Sequence, residues 1–245
     1  MSAQSTIKIG VFIASLLSAI VLNPSVYAVQ SASAEPLSPE QLQLQKDQKT
    51  YHAYIPPKYV LFEVLKGDLN KDGQADVVLI VKNTDPNMWL ENQFGERVDR
   101  NRRGIIVLLN EHGKYQKVVQ NLSAFSSENE DGGVYFAPEL APSIEKGVLK
   151  IHYAHGRYGY WRYTFRLEGR DMRLIGYDDS DNHGPYIHSQ TSINFLSQKK
   201  LLRENLNQHY EDDETRFKET WSRVNAAPIY LSKIKDFSEL DRLEF

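Results

Sequence analysis

Beyond residue 28, the longest uninterrupted apolar runs in this chain are Val77 to Val81 and Ile105 to Leu109, five residues each. Runs this short, built from branched side chains and bounded by Asp, Asn and Gly, suit strands covered on both faces. They fall far short of the roughly 20 apolar residues a helix needs to cross a bilayer, so no transmembrane segment is expected in the mature chain. Tyr59 to Leu65 and Tyr115 to Val119 have the same character, and Asn110-Glu-His-Gly113 is a hairpin turn with glycine where φ must be positive. A second group follows from Val148. There Leu149, Ile151 and Tyr153 share one face, and Trp161, Tyr163, Phe165 and Leu167 alternate with Tyr160, Arg162, Thr164 and Arg166. Met172 to Tyr177 closes this meander, residues 147–178, through the tight turn Glu168-Gly-Arg-Asp171.

The fold class expected is therefore mainly β, with antiparallel sheets in a propeller-like or sandwich-like arrangement. Ser38-Pro39-Glu40-Gln41 supplies an N-cap, a first-turn proline and a capping-box glutamine, which predicts one short N-terminal helix over about 39–50. Ile193 to Leu196 and Lys200 to Arg203 read as a further hairpin. Phe217, Trp221 and Val224 at i, i+4 and i+7 predict a C-terminal helix, although Thr220 to Val224 alternates equally well as a strand.

Lys8 is the only charge before the apolar run Val11 to Leu22, which Asn23 and Pro24 break. Val26-Tyr27-Ala28 then offers a cleavage site, so residues 1–28 read as a secretory signal peptide and 29–37 as a disordered lead-in. Residues 38–245 form a single β-rich domain, and the expected location is periplasmic or secreted. The 245 residues include no cysteine, which removes disulfides, thiolate zinc sites and Cys nucleophiles from consideration. With 29 basic and 32 acidic residues the net charge is −3, so no long-range field draws in nucleic acid, and none is expected as a partner.

The most informative stretch is Asp68-Leu-Asn-Lys-Asp-Gly-Gln-Ala-Asp76. Oxygen-bearing side chains stand at positions 1, 3, 5 and 9, with a glycine at position 6 for the bend. A hard dication such as Ca²⁺ needs six to eight oxygens at about 2.3–2.6 Å. Asp68, Asn70, Asp72 and Asp76 would give side-chain oxygens and Gln74 its backbone carbonyl, holding one structural calcium ion. An EF-hand would place a glutamate at position 12, which here is Leu79 inside an apolar run. The loop thus joins two strands, not two helices. From ordinary Asp, Asn and Gly frequencies such a match arises by chance in about one window in 10⁵.

Gly67-Asp-Leu-Asn-Lys-Asp-Gly-Gln-Ala-Asp-Val-Val78, with Ile106 to Asn110 and Gly113-Lys-Tyr115 after an insert at Met88 to Gly104, resembles one repeat of the FG-GAP/VCBS family of exported bacterial proteins. The resemblance covers residues 59–120. It implies a calcium loop between two strands of a blade-like sheet, with Asp68, Asn70, Asp72, Gln74 and Asp76 as its ligands.

Tyr158, Tyr160, Arg162 and Arg166 form the candidate partner surface, an aromatic and basic strand face suited to a protein or glycan of the cell envelope. Arg97, Arg100, Arg102 and Arg103 read as a flexible charged loop, Glu128 to Gly133 as an acidic loop, and Asp178, Ser180 and Asn182, at alternating positions of an oxygen-rich run over 178–184, as a candidate second cation site without a ninth-position carboxylate. No nucleophile motif or phosphate loop is present, and no catalytic residue is assigned. The reading is a non-enzymatic, calcium-binding envelope module. An envelope glycan or peptidoglycan hydrolase, and an inhibitor or immunity-type protein acting on another secreted protein, stand as alternatives.

Overall fold

The computed structural model describes residues 36–132, 136–207 and 216–240. The signal peptide and nearly all of the lead-in expected from the sequence lie outside the described residues. No helix among them is long and apolar enough to cross a membrane.

Helix α1 (Pro39–Tyr51) opens with the expected capping box: the Gln41 N–H donates to Ser38 Oγ at 3.2 Å and the Ser38 N–H donates to Gln41 Oε1 at 2.9 Å. Strands β1 (Tyr59–Gly67), β2 (Asp76–Asn83), β5 (Arg103–Glu111) and β6 (Lys114–Phe125) form a four-stranded antiparallel sheet in the order β1-β2-β5-β6. Between β2 and β5 the insert folds into a separate small hairpin, β3 (Trp89–Glu91) and β4 (Arg97–Asp99). The remaining strands, β7 (Glu139–Glu145), β8 (Val148–Ala154), β9 (Gly159–Glu168), β10 (Asp171–His183), β11 (Tyr186–Asn194), β12 (Lys199–Asn205) and β13 (Phe217–Arg223), make a seven-stranded antiparallel meander in reverse chain order.

The two sheets pack face to face, so the arrangement is a sandwich. Val78, Ile80, Ile105, Val107 and Phe125 from the first sheet share a core with Leu149, Ile151, Tyr163, Phe165 and Met172 from the second. The opposite face of the first sheet, carrying Val77, Leu79, Val81, Ile106 and Leu108, is covered by Tyr51, Leu44, Tyr54 and Ile55 of α1 and the turn after it. This explains why the runs Val77 to Val81 and Ile105 to Leu109 are apolar without alternation: both faces are sealed. Each such side chain contributes about 1.5–3 kcal/mol on burial. Helix α1 also closes part of the open β1 edge, where Gln48 Oε1 accepts from the Leu61 N–H at 2.7 Å.

The β5–β6 turn has His112 at φ 54° and Gly113 at φ 86°, the two positive φ values a tight hairpin demands. After β13, residues 229–240 return to the sandwich, where the short helix α2 (Phe237–Leu240) sets Phe237 against Phe125, Tyr153 and Tyr163.

The helix expected from Phe217, Trp221 and Val224 is a strand instead. Strand β13 pairs with β12 along its whole length, Trp221 stands opposite Leu201, and Trp221 is 62% exposed. The edge of β12 offers residues 217–223 a full ladder of backbone partners, which outweighs the helical spacing.

Candidate functional site

The aspartate-rich stretch forms the connection between β1 and β2, with Asp76 as the first residue of β2. Backbone turns at Lys71, φ 63°, and Gly73, φ 85°, fold the loop back on itself. Asp68 Oδ1, at 3.1 Å, and Asn70 Oδ1, at 3.0 Å, both accept from the single Asp72 N–H, so these two oxygens lie side by side inside the bend. Asp68 Oδ2 accepts from the Gly73 N–H at 2.9 Å, and Asp72 Oδ1 from the Gln74 N–H at 2.7 Å. Asn70 Nδ2 donates to Asp72 Oδ2 at 3.0 Å.

Asp76 behaves differently. It is wholly buried, and its two oxygens accept from three backbone N–H groups: Leu69 at 2.8 Å, Asn70 at 3.2 Å and Asn110 at 2.8 Å. Three such donors fix the carboxylate in place and satisfy both its oxygens. They also pin the loop to the far end of β5. Asp76 is thus the anchor of the loop, and Asp68, Asn70 and Asp72 are its outer, solvent-side oxygens.

No ion pair among the described residues involves Asp68, Asp72 or Asp76. Nor do three His, Asp or Glu side chains among the described residues gather into a ready cation cluster. The donor set still fits a hard cation in kind: it is all oxygen, carries three negative charges in nine residues, and sets its first two oxygens together. Asn70 and main-chain carbonyls would have to complete a shell that carboxylates alone do not.

The second oxygen-rich run is not a loop. Asp178, Ser180 and Asn182 lie in β10, where Asp178 Oδ2 accepts from Arg162 at 2.9 Å, Asp178 Oδ1 from Ser192 Oγ at 2.8 Å, and Ser180 Oγ donates to Asn182 Oδ1 at 2.7 Å.

Of the four residues expected to share a partner surface, Tyr160, Arg162 and Arg166 lie at alternate positions of β9. Tyr158 does not join them, because the chain makes a 3₁₀ turn at Gly156–Tyr158 before β9 begins; its ring packs near His155, at 5.3 Å. The two arginines are also not free charges. Arg162 pairs with Asp178, and Arg166 and Arg173 both grip Glu168, at 2.5 Å and 3.1 Å. Those two arginines hold the Glu168 carboxyl below its ordinary range. His152 stacks near Tyr160 at 5.2 Å, and burial, aided by Arg162, keeps its imidazole below its usual value. The face is polar and internally neutralised.

The arginine run is likewise not a flexible loop. Arg103 is buried in β5, with Nε donating to the Ser126 carbonyl at 3.2 Å and the guanidinium over the Phe62 ring at 5.4 Å. Arg100 reaches across to Glu130 at 3.1 Å and Asp131 at 2.7 Å, and Arg102 to Asp236 at 2.6 Å.

These pairs border a cleft of about 610 Å³ at one end of the sandwich, which the sequence did not reveal. Four of its lining residues are aromatic: Tyr153 and Trp161, a cross-strand pair of β8 and β9, stack at 5.4 Å with planes 21° apart, and Phe136 and Phe237 are the others. Arg100, Arg102, Glu130, Asp131 and Asp236 supply its charged lining. The meander pattern places Tyr153 opposite Trp161, and that much was legible. Arg102 and Asp236 are 134 residues apart, and nothing local signals their meeting.

No family model, curated protein or solved structure matches the chain.

Proposed function

We propose that this chain is an exported β-sandwich protein of the bacterial cell envelope, stabilised by one calcium ion in the β1–β2 loop and serving as a binding module with no catalytic step. The observation that carries the proposal is the loop itself: Asp68 and Asn70 turn their oxygens to the same Asp72 N–H, and three carboxylates stand there with no ion pair among the described residues. A dication bound by the outer oxygens would supply the counter-charge that no described side chain brings to the loop. Asp68, Asn70 and Asp72 would hold it, with the Gln74 carbonyl, and Asp76 would fix the loop's inner side through its three N–H bonds. Calcium supplies charge neutralisation and an oxygen-bound cross-link there, and no chemistry beyond that. In a chain without disulfides, export leaves stability to the core and to such a cross-link. The likeness of 67–78 to the FG-GAP/VCBS loop supports Asp68, Asn70, Asp72 and Gln74 as ligands; it also implies Asp76, which here is turned to three backbone N–H groups instead.

Binding is favoured over hydrolysis by the state of Asp131, one of the three carboxylates lining the cleft. A glycosidase needs one carboxyl raised enough to donate a proton. Hydrogen bonding from Arg100, and from the Gln93 N–H, instead holds Asp131 below the ordinary carboxylate range. The partner expected is a protein or glycan of the envelope.

The test is a thermal unfolding curve in calcium and in chelator. At 1 mM calcium and an affinity near 10⁻⁴ M, the linkage is worth about 1.4 kcal/mol. That corresponds to a rise of roughly 3–6 °C for a chain of this size. Identical midpoints would remove the metal from the proposal.

A further inference from the structure

We infer that the cleft lined by the Tyr153–Trp161 stack and by the Arg100–Asp131 pair binds a short run of neutral sugar rings. The inference deepens the reading of a binding module and rests on it, but it does not depend on calcium, because the cleft and the β1–β2 loop share no residue. Its volume of about 610 Å³ lies within the roughly 300–1,000 Å³ typical of small-ligand sites.

The chemistry of the lining selects the ligand. A strongly anionic ligand is disfavoured, since two guanidinium groups face three carboxylates and both guanidinium groups are already engaged. A simple cation would sit beside Arg100 and Arg102. A purely apolar ligand would strip water from five charged side chains and give them nothing in return. An extended peptide would exploit an open strand edge for main-chain pairing. None of the lining residues lies on an edge strand: Tyr153 and Trp161 belong to the interior strands β8 and β9, and the others to loops and α2. What remains is a ligand with an apolar flat side and a rim of hydroxyl groups. A pyranose ring lays its C–H face on an aromatic ring and offers hydroxyls to carboxylates and guanidinium groups. Trp161, half-buried on Tyr153, gives a platform held rigid by the stack, and Phe136, 48% exposed, gives a second.

The experiment uses the full chain in 1 mM calcium. Substituting Trp89→Phe and Trp221→Phe leaves Trp161 as the single tryptophan, since the chain has three, and excitation at the red edge of the indole band keeps the tyrosines silent. Chitotetraose, cellotetraose and maltotetraose are then titrated, with calorimetry on the same ligands for the variants. The expected result is a saturable change in Trp161 emission with at least one of the three, about tenfold weaker binding for Trp161→Ala and several-fold weaker for Phe136→Ala. Trp161→Ala removes a stacking partner of Tyr153 and can loosen the fold, so Phe136→Ala, at an exposed ring, carries the test by itself. No saturation with any of the three up to about 10 mM would overturn the inference, as would binding that both variants leave unchanged. Cleavage of a bound saccharide would uphold the cleft while overturning the non-catalytic reading. A calcium-independent melting curve would overturn the loop and leave the cleft standing.

Discussion

Two segments with three carboxylates each, Asp68 to Asp76 and Glu128 to Asp131, end in opposite electrostatic situations. The second is neutralised by the fold: Glu128 pairs with Lys82 at 3.0 Å, and Glu130 and Asp131 clasp Arg100 at 3.1 Å and 2.7 Å. The first has no ion pair among the described residues and satisfies its oxygens with backbone N–H groups of its own turn. The number of carboxylates in a segment therefore says little about the need for a cation. What decides is which basic side chains the topology carries to the site, and it carries Lys82 and Arg100 to one segment only.

The sharpest way to break this comparison is Asp76→Ala. It leaves the Leu69, Asn70 and Asn110 N–H groups without their acceptor at a wholly buried position, and a charged hydrogen bond is worth about 1.5–3 kcal/mol. We expect a loss of about 3 kcal/mol or more in urea unfolding. A loss below about 1 kcal/mol would mean that the loop holds itself without its anchor.

Next in size is the response to calcium. Asp68→Asn and Asp72→Asn should abolish the rise of roughly 3–6 °C expected on adding the ion, whereas Glu128→Gln should keep it whole. A calcium response that Glu128→Gln removed and Asp68→Asn did not would reverse the assignment of the two segments.

Arg100→Leu tests the neutralised segment directly. It leaves Glu130 and Asp131 facing each other without the guanidinium that spans them. The midpoint should fall by about 2–4 °C, with partial recovery at high salt as the repulsion is screened. No recovery would show that Arg100 acts through packing alone.

The layers of the fold were open to sequence reading because they depend on local rules. Val77 to Val81 and Ile105 to Leu109 announce a doubly covered sheet, and Ser38 with Gln41 announces α1. The turn at Glu168 to Asp171 fixes the β9–β10 pairing seen in the register Asp171 opposite Glu168. Strand β13 was not legible, because Phe217, Trp221 and Val224 satisfy a helical period while the deciding fact, a free β12 edge, lies elsewhere in the chain. The aspartate loop was legible as a pattern, but the inward turn of Asp76 was not, since its third donor is Asn110, 34 residues on. Arg162 and Arg166 were legible as an outward pair, but their neutralisation by Asp178 and Glu168 required the strand register. The cleft was least visible: its charged lining is assembled from segments more than 100 residues apart.

The smallest effect concerns Lys82, which joins Asp99 at 2.8 Å and Glu128 at 3.0 Å. Burial pulls the Lys82 ammonium down, but hydrogen bonds to Asp99 and Glu128 outweigh it and the net direction is upward. Burial likewise pushes Asp99 up, and the bonds from Lys82 and Asn101 outweigh it, leaving the carboxyl below its ordinary value. The signs fix the window. A lowered carboxyl stabilises fully above its unfolded value and loses that contribution as pH falls through the folded one; a raised ammonium stabilises below its unfolded value and loses it as pH rises through the folded one. The stability difference between the native chain and Lys82→Met should hence be flat from about pH 5 to 9 and under about 1 kcal/mol, the pair being partly exposed, and should shrink below about pH 4. The calcium-dependent difference at Asp68 should instead vanish at any pH once chelator is added. If the Lys82→Met difference widened on acidification, the acidic segment would not be held by its ion pairs, and its contrast with the aspartate loop would fail.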